Sequence, residues 1–469
     1  MKKLLTAILV LTLVLSCSVA VFAGCQPPTD YERTIVFYTS QGQSLEPITA
    51  VAIQNFEAKY PGWKVQHIRA GGYDDVKERV TQDLGAGLQP DLAYCYPDHV
   101  AAYIETGKVV NMSKYLLSTE TVTGVVPGTA TKESEGTPHD YTIGFTQEEL
   151  DDFVSSYYDE GYARNYTGYA DYGYKEDDVL TLPFVRSTEL MFYNKTALDQ
   201  CGLEPATTWD ELWEQCEIIT DRFPTCTPLG YDSEANWFIT MCAQNGWGYT
   251  SADPANHYLF NNANTRAWLE ELHGYYEEGY ITTQEEYGAY TSALFIQGVD
   301  KGGLVYCIGS SGGASHQSTE AFEWGITSVP VSEGETGNRV ISQGPSLVML
   351  TGGHEVTNAD EKEKMTFLFI KELLEPTFQA EFSRSSGYNP VRHSVYDIDD
   401  YADFLEETDI TAVAVKVASE MEERLFTSPA FNGSSLARTQ VGNALLEALV
   451  GRTDAATALQ TAYRNCGGK

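Results

Sequence analysis

Residues 34–96 read TIVFYTSQGQSLEPITAVAIQNFEAKYPGWKVQHIRAGGYDDVKERVTQDLGAGLQPDLAYCY. The run from Thr34 to Thr39 is β-branched and aromatic, which is typical of a short buried strand. A polar loop follows, and then Ile48, Ala52 and Phe56 recur at the spacing that puts them on one face of a helix. A strand, a polar loop and a helix in this order are the opening unit of an α/β fold.

The same unit is repeated directly downstream. Residues 63–69 alternate as a second strand, and Tyr73 heads a helix that carries Val76 and Val80 on one face. Residues 90–96 then read as a third, buried strand. Strands that alternate with helices predict mainly parallel sheets covered by helices on both faces, so the predicted fold class is α/β.

A ligand site can be placed from this pattern alone. In open sheets of this kind, ligands bind in the crevice beyond the carboxyl ends of the strands. The loops at 40–44, 71–74 and 97–99 follow the first three predicted strands. We therefore expect these three loops to line one crevice.

Charge and composition narrow the classes of function. The 469 residues include 66 Asp plus Glu and 30 Lys plus Arg, which gives a formal charge of -36. Such a polyanion is repelled by phosphate backbones and anionic headgroups, so no nucleic-acid partner is expected. With 42% hydrophobic and 12% aromatic residues, the composition is that of a folded soluble protein with a sizeable core.

The N-terminus predicts export. Lys2 and Lys3 precede an apolar run, and small residues then lead to Cys25, so we expect a lipoprotein signal peptide at 1–24, lipidation of Cys25 and a tether at 25–33. Cys17 is a rival lipidation site, and an uncleaved membrane anchor is the alternative to cleavage. Cys25 is preferred because cleavage at Cys17 leaves an apolar stretch exposed on the mature protein. No later segment has the 18 or more apolar residues of a spanning helix.

The remaining cysteines and the histidines predict neither a metal site nor a cofactor. Seven cysteines follow Cys25 without a C-x-x-C spacing, which favours buried thiols with at most one bridge. The eight histidines form no H-E-x-x-H, and the aspartates at 397–400 lack the glycine of a calcium loop. No G-x-x-x-x-G-K-[ST] occurs, so ATP chemistry is not expected in this chain.

Two further segments carry local signals. In residues 118–178 the strand and helix patterns weaken, and glycine and acidic residues cluster. The tyrosines at 157–174 predict either a ligand-contacting loop or a surface decoration with half-buried rings. Thr208, with Glu211 three residues on, predicts a capping box at the start of a helix.

Four longer motifs carry a resemblance to a known family. They are LPFVRSTELMFYNKTALDQCGLEPATTWDELWEQC (residues 182–216), FIQGVDKGGLVYCIGSSGG (295–313), WGITSVPV (324–331) and SRSSGYNPVRHSVYD (383–397). In this order they resemble the family 1 extracellular solute-binding proteins of bacterial carbohydrate ABC importers, nearest in look to the glycerol-3-phosphate binding proteins. The resemblance implies two α/β lobes of the periplasmic-binding-protein type, joined by a hinge of three crossover segments. It places lobe 1 at 30–187 plus 329–373 and lobe 2 at 188–328 plus 374–466.

The resemblance also implies which residues contact the ligand. Residues of matching type in the family motifs are Tyr73, Ser187, Trp237, Ser310, Gly344 and Tyr388. Trp237 is expected to be the stacking platform, with a core tryptophan as the alternative, and the Gly-Tyr-Asn-Pro turn is expected to hold the ring of Tyr388. Asp98 stands one position later than the carboxylate of the family pattern and is expected to substitute for it.

One departure from the family bears on the ligand. The arginine that clamps phosphate in the family falls near Phe431, where this chain has no basic residue, although Arg186 or Arg438 can approach from another direction. We therefore rank a neutral sugar, oligosaccharide or polyol above glycerol-3-phosphate or a glycerophosphodiester. The implied protein is no enzyme but a lipid-anchored monomer on the outer face of the cytoplasmic membrane, whose partner is the ABC permease.

Two other classes of function compete with this interpretation. Residues 309–313 (GSSGG) fit the G-x-S-x-G of serine hydrolases, and His354 or His393 lies downstream in hydrolase order. No H-G-G-G type oxyanion segment precedes the motif, so we assign this loop to ligand binding. The second alternative is a surface adhesin or glycan-capturing lipoprotein that works without a transporter.

Overall fold

The structure is a computed structural model that describes residues 29–127 and 136–468. The signal peptide and the lipidation site expected from the sequence, Cys17 and Cys25 included, lie outside the described residues. The strands are β1 (Thr34–Thr39), β2 (Lys64–Arg69), β3 (Leu92–Cys95), β4 (Thr121–Val125), β5 (Pro138–Thr142), β6 (Thr181–Pro183), β7 (Glu189–Asn194), β8 (Thr227–Tyr231), β9 (Ile281–Thr283), β10 (Leu304–Ser310), β11 (Trp324–Ser328), β12 (Val340–Ile341), β13 (Ser346–Met349) and β14 (Leu425–Phe426).

The helices cover both sheets and include several single turns. They are α1 (Glu46–Lys59), α2 (Tyr73–Ala86), α3 (Pro97–Tyr103), α4 (Ser113–Leu116), α5 (Gln147–Asp151), α6 (Ser155–Asp159), α7 (Lys195–Cys201), α8 (Trp209–Arg222), α9 (Glu234–Gln244), α10 (Ala263–Glu277), α11 (Gln284–Tyr287), α12 (Ser292–Phe295), α13 (Ala359–Leu373), α14 (Pro376–Ser386), α15 (Asp399–Leu405), α16 (Ile410–Ser419), α17 (Ser434–Leu449) and α18 (Ala455–Asn465). Short 3-10 helices lie at Tyr31–Arg33, Gln43–Leu45, Ile104–Thr106, Ala163–Asn165, Tyr169–Tyr172, Val299–Lys301, Ser311–Gln317, Gly353–Glu355, His393–Val395 and Glu422–Arg424.

The first five-stranded sheet has the order β2-β1-β3-β13-β6. Every residue of β1 is buried, and successive side chains point to opposite faces. Ile35 and Phe37 enter one apolar cluster, while Val36 and Tyr38 enter another. The sheet is therefore covered on both faces, as the sequence predicts.

The second five-stranded sheet has the order β11-β7-β10-β8-β9, and its core includes Phe192, Leu229 and Ile308. The strands β8, β9 and β10 run parallel, whereas β7 pairs antiparallel with both β10 and β11. The two-lobed α/β fold is confirmed, but parallel pairing is confined to about half of each sheet. In the first sheet β13 runs antiparallel to β3 and β6, because it enters from a crossover rather than from a helical connection.

Helix ends agree with most of the sequence signals. Tyr73 begins α2, whose buried face carries Val76 and Val80. Gly87 follows the last turn of the helix in a left-handed conformation. At the start of α8 the Thr208 hydroxyl accepts a hydrogen bond from the Glu211 amide, at 3.2 Å. The reciprocal half of the predicted capping box is displaced by one residue, because the Glu211 carboxylate accepts from the amide of Thr207 at 2.8 Å.

Three crossover segments connect the lobes and lie side by side, the first through residues 186–187, the second through 343 and the third through 388–389. The amide of Arg186 donates to the Asn389 carbonyl (3.0 Å), and the amide of Asn389 donates back (2.6 Å). Ser187 and Gln343 exchange a second pair of backbone hydrogen bonds, at 2.9 and 2.8 Å. The three segments thus form a hydrogen-bonded hinge of the kind that the resemblance implies.

The tyrosine-rich segment packs beside this hinge and is not in the main cavity. Tyr157 and Tyr166 are buried, and the Tyr166 hydroxyl lies 3.2 Å from that of Thr181. Glu160, in the same segment, pairs with Arg186 at 2.8 Å and accepts from the Ser342 hydroxyl at 3.1 Å. Four of the rings are half-buried, as the surface-decoration interpretation expects, namely Tyr158, Tyr162, Tyr169 and Tyr174. The segment in addition braces two crossovers through Glu160.

Three further features concern the described residues as a whole: cysteine pairing, membrane-spanning helices and metal-ligand clusters. The seven cysteines after Cys25 are unpaired, and six of them are buried. Within residues 29–127 and 136–468, no helix is both long enough and apolar enough to cross a bilayer. No cluster of potential metal ligands occurs in the same part of the chain.

Candidate functional site

A cavity of about 830 Å³ opens where the carboxyl ends of parallel strands from both sheets face each other. Ser40 follows β1, Tyr73 follows β2, and Tyr96 follows β3; from the second sheet, Asp232 follows β8 and Ser310 ends β10. This is the position that the topology of open α/β sheets predicts for a ligand. We call this cavity the cleft.

The crossovers form the back of the cleft. Ser187, Gln343 and Tyr388 each come from a different crossover, and all three line the cavity. A movement of the hinge therefore changes the shape of the cleft directly, since the same segments serve both.

Four of the seven ligand contacts expected from the sequence are brought together here. Tyr73, Ser187, Ser310 and Tyr388 all line the cleft. The Tyr73 and Tyr388 hydroxyls lie 3.4 Å apart, and the ring of Tyr73 lies 4.4 Å from that of Tyr96. Burial raises the pKa of both Tyr73 and Tyr388, which keeps these phenols neutral and able to donate hydrogen bonds.

Asp98 lies next to the cleft rather than in it. It lines a small chamber of about 50 Å³ that shares Tyr96 and Arg438 with the cleft. Its Oδ1 atom is buried without a hydrogen-bond partner, and it lies 3.7 Å from Nε2 of His99, whose pKa is lowered by burial. Asp98 can therefore reach only a part of the ligand that extends into this chamber.

Trp237 does not have the position that the resemblance implies. Its exposed fraction is 0%, and its ring stacks on Tyr231 at a centroid distance of 4.6 Å within an aromatic cluster that includes Trp209. Ser233 and Asn236, at the start of the same helix, do line the cleft. The expectation of a stacking platform at Trp237 is wrong in this structure, because the helix turns that side chain into the core.

Gly344 also has a different role. A Cβ atom at this position would lie 2.5 Å from the Val185 carbonyl oxygen, and φ is +103°, so only glycine fits the close approach of two crossovers. Gly344 does not line the cleft, although Gln343 and Pro345 on either side do. The expected ligand contact at Gly344 is replaced by a backbone requirement of the hinge.

The glycine-serine loop at 309–313 is shaped by its packing. The candidate hydrolase nucleophile Ser311 is fully buried, and its hydroxyl accepts from the Thr188 amide at 3.3 Å. His354 stacks on Tyr31 at 3.8 Å, outside the cleft, and His393 does not line it either. A Cβ atom on Gly312 would lie 2.6 Å from the ring of Tyr388, so this glycine makes room for a cleft tyrosine. The hydrolase interpretation of the motif is therefore wrong.

The charges that line the cleft are mostly negative. Five carboxylates contribute to its surface, Asp74, Asp75, Glu189, Asp232 and Glu285. Among the described residues, Arg438 is the only lysine or arginine on this surface. Arg438 donates to the Asn236 amide oxygen, and its guanidinium lies 5.9 Å from the centre of the Tyr96 ring.

Glu189 is the most perturbed of these carboxylates. Burial raises its pKa to about 7, against hydrogen bonds from Tyr231 and Asn236 that favour the charged form. Asp232 is fixed more strongly, because both the amide and the hydroxyl of Thr291 donate to its Oδ1, at 2.6 and 2.7 Å. No motif in the sequence singles out Glu189 or Asp232 as a site residue.

Neither of the other arginine sites considered from the sequence offers a phosphate clamp. Arg186 is 98% buried in its side chain and uses its guanidinium on Glu160, Ser346 and two backbone carbonyls. Phe431 is buried and stacks on His257 at 4.0 Å. Arg438 is left as the candidate for any anionic group of a ligand.

Comparison with known proteins is consistent with this arrangement. The family model described as bacterial extracellular solute-binding protein matches residues 51–406. The sn-glycerol-3-phosphate-binding periplasmic protein UgpB of Brucella abortus (strain 2308) is 26% identical over 313 residues, which cover 62% of this chain and 68% of that protein.

Solved structures share the fold at lower identity. The crystal structure of UgpB from Mycobacterium tuberculosis in complex with glycerophosphocholine matches with a TM-score of 0.71 and 18% identity, over 92% of this chain and 97% of that one. The GacH receptor of Streptomyces glaucescens GLA.O, solved unliganded and in complex with acarbose, matches with a TM-score of 0.68 and 15% identity, over 92% and 98% of the two chains.

Proposed function

The chain belongs to the family of bacterial extracellular solute-binding proteins, and from this we propose that it binds a sugar, oligosaccharide or polyol in the cleft for delivery to an ABC permease. The observation that carries the proposal is the cleft itself, which combines aromatic rings with hydroxyl, amide and carboxylate groups at the junction of two lobes. A polyhydroxylated ligand needs this combination, because its hydroxyls must be hydrogen-bonded and its carbon-bound faces covered.

The electrostatics favour a neutral ligand. Four carboxylates besides Glu189, whose pKa is raised to about 7, outnumber Arg438 and make the cleft negative, which opposes the entry of a phosphate. Neutral hydroxyl groups can donate to these same carboxylates. A volume of about 830 Å³ is also within the range for ligands larger than one sugar ring.

A second candidate is a glycerophosphodiester or glycerol-3-phosphate. Arg438, placed where the cleft meets the small chamber, supports it, as does the resemblance to UgpB proteins. A zwitterionic diester with a quaternary ammonium group suits the cleft better than a simple phosphate monoester. Its cation can lie among aromatic rings and carboxylates, while its phosphate meets Arg438.

Location and partners follow from the proposed role. We propose a signal peptide at 1–24, a lipid anchor at Cys25, a monomeric protein on the outer face of the cytoplasmic membrane, and a permease as the partner. For the lobes we propose the division 30–187 plus 329–373 and 188–328 plus 374–466, with one change. The helix α14 belongs with lobe 1, because the Phe382 ring packs at 5.0 Å from that of Phe184 in the core of the first sheet.

A thermal-shift screen tests the proposed function. The panel contains sugars, oligosaccharides and polyols, acarbose and tagatose among them, together with glycerol-3-phosphate and glycerophosphocholine. A ligand at 100 times its Kd stabilises the protein by about 2.7 kcal/mol, which is a clear shift in Tm. Stabilisation by a neutral polyhydroxylated compound is expected. Stabilisation only by the phosphate compounds would support the second candidate, and no stabilisation by any member would contradict both.

A further inference from the structure

Tyr290, a large aromatic side chain in the cleft, is exposed to solvent rather than packed against other residues. Tyr290 has an exposed fraction of 63%, more than any other large hydrophobic side chain that is exposed in the described part of the chain. It is one of the residues that line the cleft. A ring exposed at the mouth of a polar cavity needs an explanation, because covering it with apolar surface is favourable.

We propose that Tyr290 is the stacking platform for the carbon-bound face of the ligand, and thereby a determinant of affinity in the cleft. The inference rests on the proposed function and gives the second lobe the aromatic contact that Trp237 cannot supply. Between residues 188 and 328, all of which the structure describes, Tyr290 contributes the only six-membered aromatic ring to the cleft surface. The other side chains from this region offer polar groups, so without Tyr290 the ligand has no apolar cover on that side.

The backbone that carries Tyr290 is fixed although its side chain is free. Thr291 is fully buried, and its amide and hydroxyl both donate to Asp232. The Tyr290 carbonyl accepts from the Ala293 amide at 3.1 Å, at the start of α12. Because the main chain that follows the ring is held by these hydrogen bonds, stacking costs little additional backbone entropy. Asp232 acts here as a positioning residue for the platform.

Other tyrosines line the same cleft and offer hydrogen bonds. The Tyr388 hydroxyl lies 3.4 Å from that of Tyr73, and both side chains line the cavity together with Tyr290. We propose that a ligand in the cleft stacks on Tyr290 while its hydroxyl groups contact Tyr388 and Tyr73.

The cleft carboxylates complete the chemistry. Asp232 and Glu285 line the cleft in the same region of the fold as Tyr290. A sugar ring places C–H groups on its faces and hydroxyls around its rim, so a ring with carboxylates beside it can satisfy both parts at once. The same ring can cover a quaternary ammonium group through its π face. The platform thus fits the neutral ligand first and the zwitterionic diester second.

Tyr290→Ala, Tyr290→Phe and Tyr287→Ala test the inference. Tyr287 is a matched control, because it is 42% exposed, lies three residues earlier, and does not line the cleft. The probes are acarbose, tagatose, glycerophosphocholine and glycerol-3-phosphate, titrated calorimetrically into each variant. For a probe that the wild type binds, Tyr290→Ala is expected to weaken binding on the order of 10-fold, the scale for losing an aromatic anchor. Tyr290→Phe keeps the ring and should stay near wild type, as should Tyr287→Ala.

The outcomes separate the inference from the function on which it rests. If the wild type binds a probe and Tyr290→Ala binds it equally well, the platform is refuted while the proposed function stands. A loss in Tyr290→Phe as large as that in Tyr290→Ala would also refute stacking, because the hydroxyl would then carry the contact. If the wild type binds none of the four probes and no other member of the thermal-shift panel, the proposed function and the platform are both refuted. Unchanged Tm values of the ligand-free variants are expected, since the Tyr290 side chain is exposed.

Discussion

The hydroxyl oxygens of Tyr73 and Tyr388 lie 3.4 Å apart in the cleft, although 314 residues separate them in the chain. Tyr73 begins the helix after β2, and Tyr388 comes from the third crossover. The contact joins lobe 1 to the hinge, so a ligand that engages both tyrosines also contacts the crossover at the back of the cleft.

Tyr388→Ala is expected to weaken binding of the cognate ligand by about 1–3 kcal/mol, because it removes an aromatic anchor from a desolvated wall. Tyr388→Phe keeps the ring against Gly312 and should lose only the hydroxyl contribution, about 0.5–1.5 kcal/mol. Calorimetric titration measures both. Tyr172→Ala, on an exposed ring outside the cleft, is the control. Equal affinity of wild type and Tyr388→Ala would remove Tyr388 from the site.

Gly312 and Gly313 are neighbouring glycines at which an added Cβ atom has very different amounts of space. A Cβ atom on Gly312 would lie 2.6 Å from the Tyr388 ring, whereas on Gly313 the nearest atom is His316 Cδ2 at 3.9 Å. Gly312→Ala must therefore displace Tyr388, with an expected affinity loss of about 1–3 kcal/mol, and Gly313→Ala should bind as the wild type does. Titration of both variants decides the point. If Gly312→Ala left affinity intact, Tyr388 would not be held by this packing.

Trp237 is expected to matter for folding rather than for direct contact. Trp237→Ala opens a cavity in the aromatic cluster and should lower the free energy of unfolding by about 3–5 kcal/mol. Urea denaturation of the ligand-free protein measures this loss. Tyr290→Ala, which removes an exposed ring, is the control and should leave the free energy of unfolding within about 0.5 kcal/mol of wild type. A Trp237→Ala protein of unchanged stability would contradict the core position.

The raised pKa of Glu189 predicts that the free energy of unfolding falls as pH rises. Its pKa is raised from 4.5 to about 7 in the folded protein, so between these values the folded state holds a proton that the unfolded chain has released. Stability from this group therefore falls as pH rises through that window. Glu189→Gln, which can still accept from Tyr231, should gain stability relative to wild type between pH 5 and about 7. Denaturation curves at both pH values test this, and a constant difference would show that Glu189 does not titrate there.

The sequence predicts those features of the fold that depend on local pattern. Thr34–Thr39 forms the expected strand with every residue buried, because its apolar side chains alternate between two covered faces. The loops after the first three strands reach the cleft or its side chamber, since strand direction alone determines where they emerge. The direction of β7 and β13 was not predictable, because it depends on crossovers that no local pattern encodes.

The positions of the site side chains are harder to predict from the sequence than the helices and strands that carry them. Asn236 and Trp237 are neighbours on α9, yet one faces the cleft and the other the core, because one residue turns a helix by about 100°. A motif match fixes the helix but not this rotation. Tyr290 had no motif at all, and its significance arises only from exposure inside a cavity. Glu189 and Arg438 likewise acquire their roles from burial and from the approach of distant segments.

Calorimetric titration at low and high salt shows whether the cleft binds a neutral polyhydroxylated ligand. The neutral sugar or polyol with the largest thermal shift and glycerol-3-phosphate are each titrated into the wild-type protein. We expect the neutral compound to bind with an affinity that is nearly independent of salt, because no charge on the ligand is screened. Glycerol-3-phosphate should bind weakly or not at all, because carboxylates outnumber Arg438 on the cleft surface. Tight binding of glycerol-3-phosphate that weakens steeply with salt and disappears in Arg438→Gln would contradict this expectation.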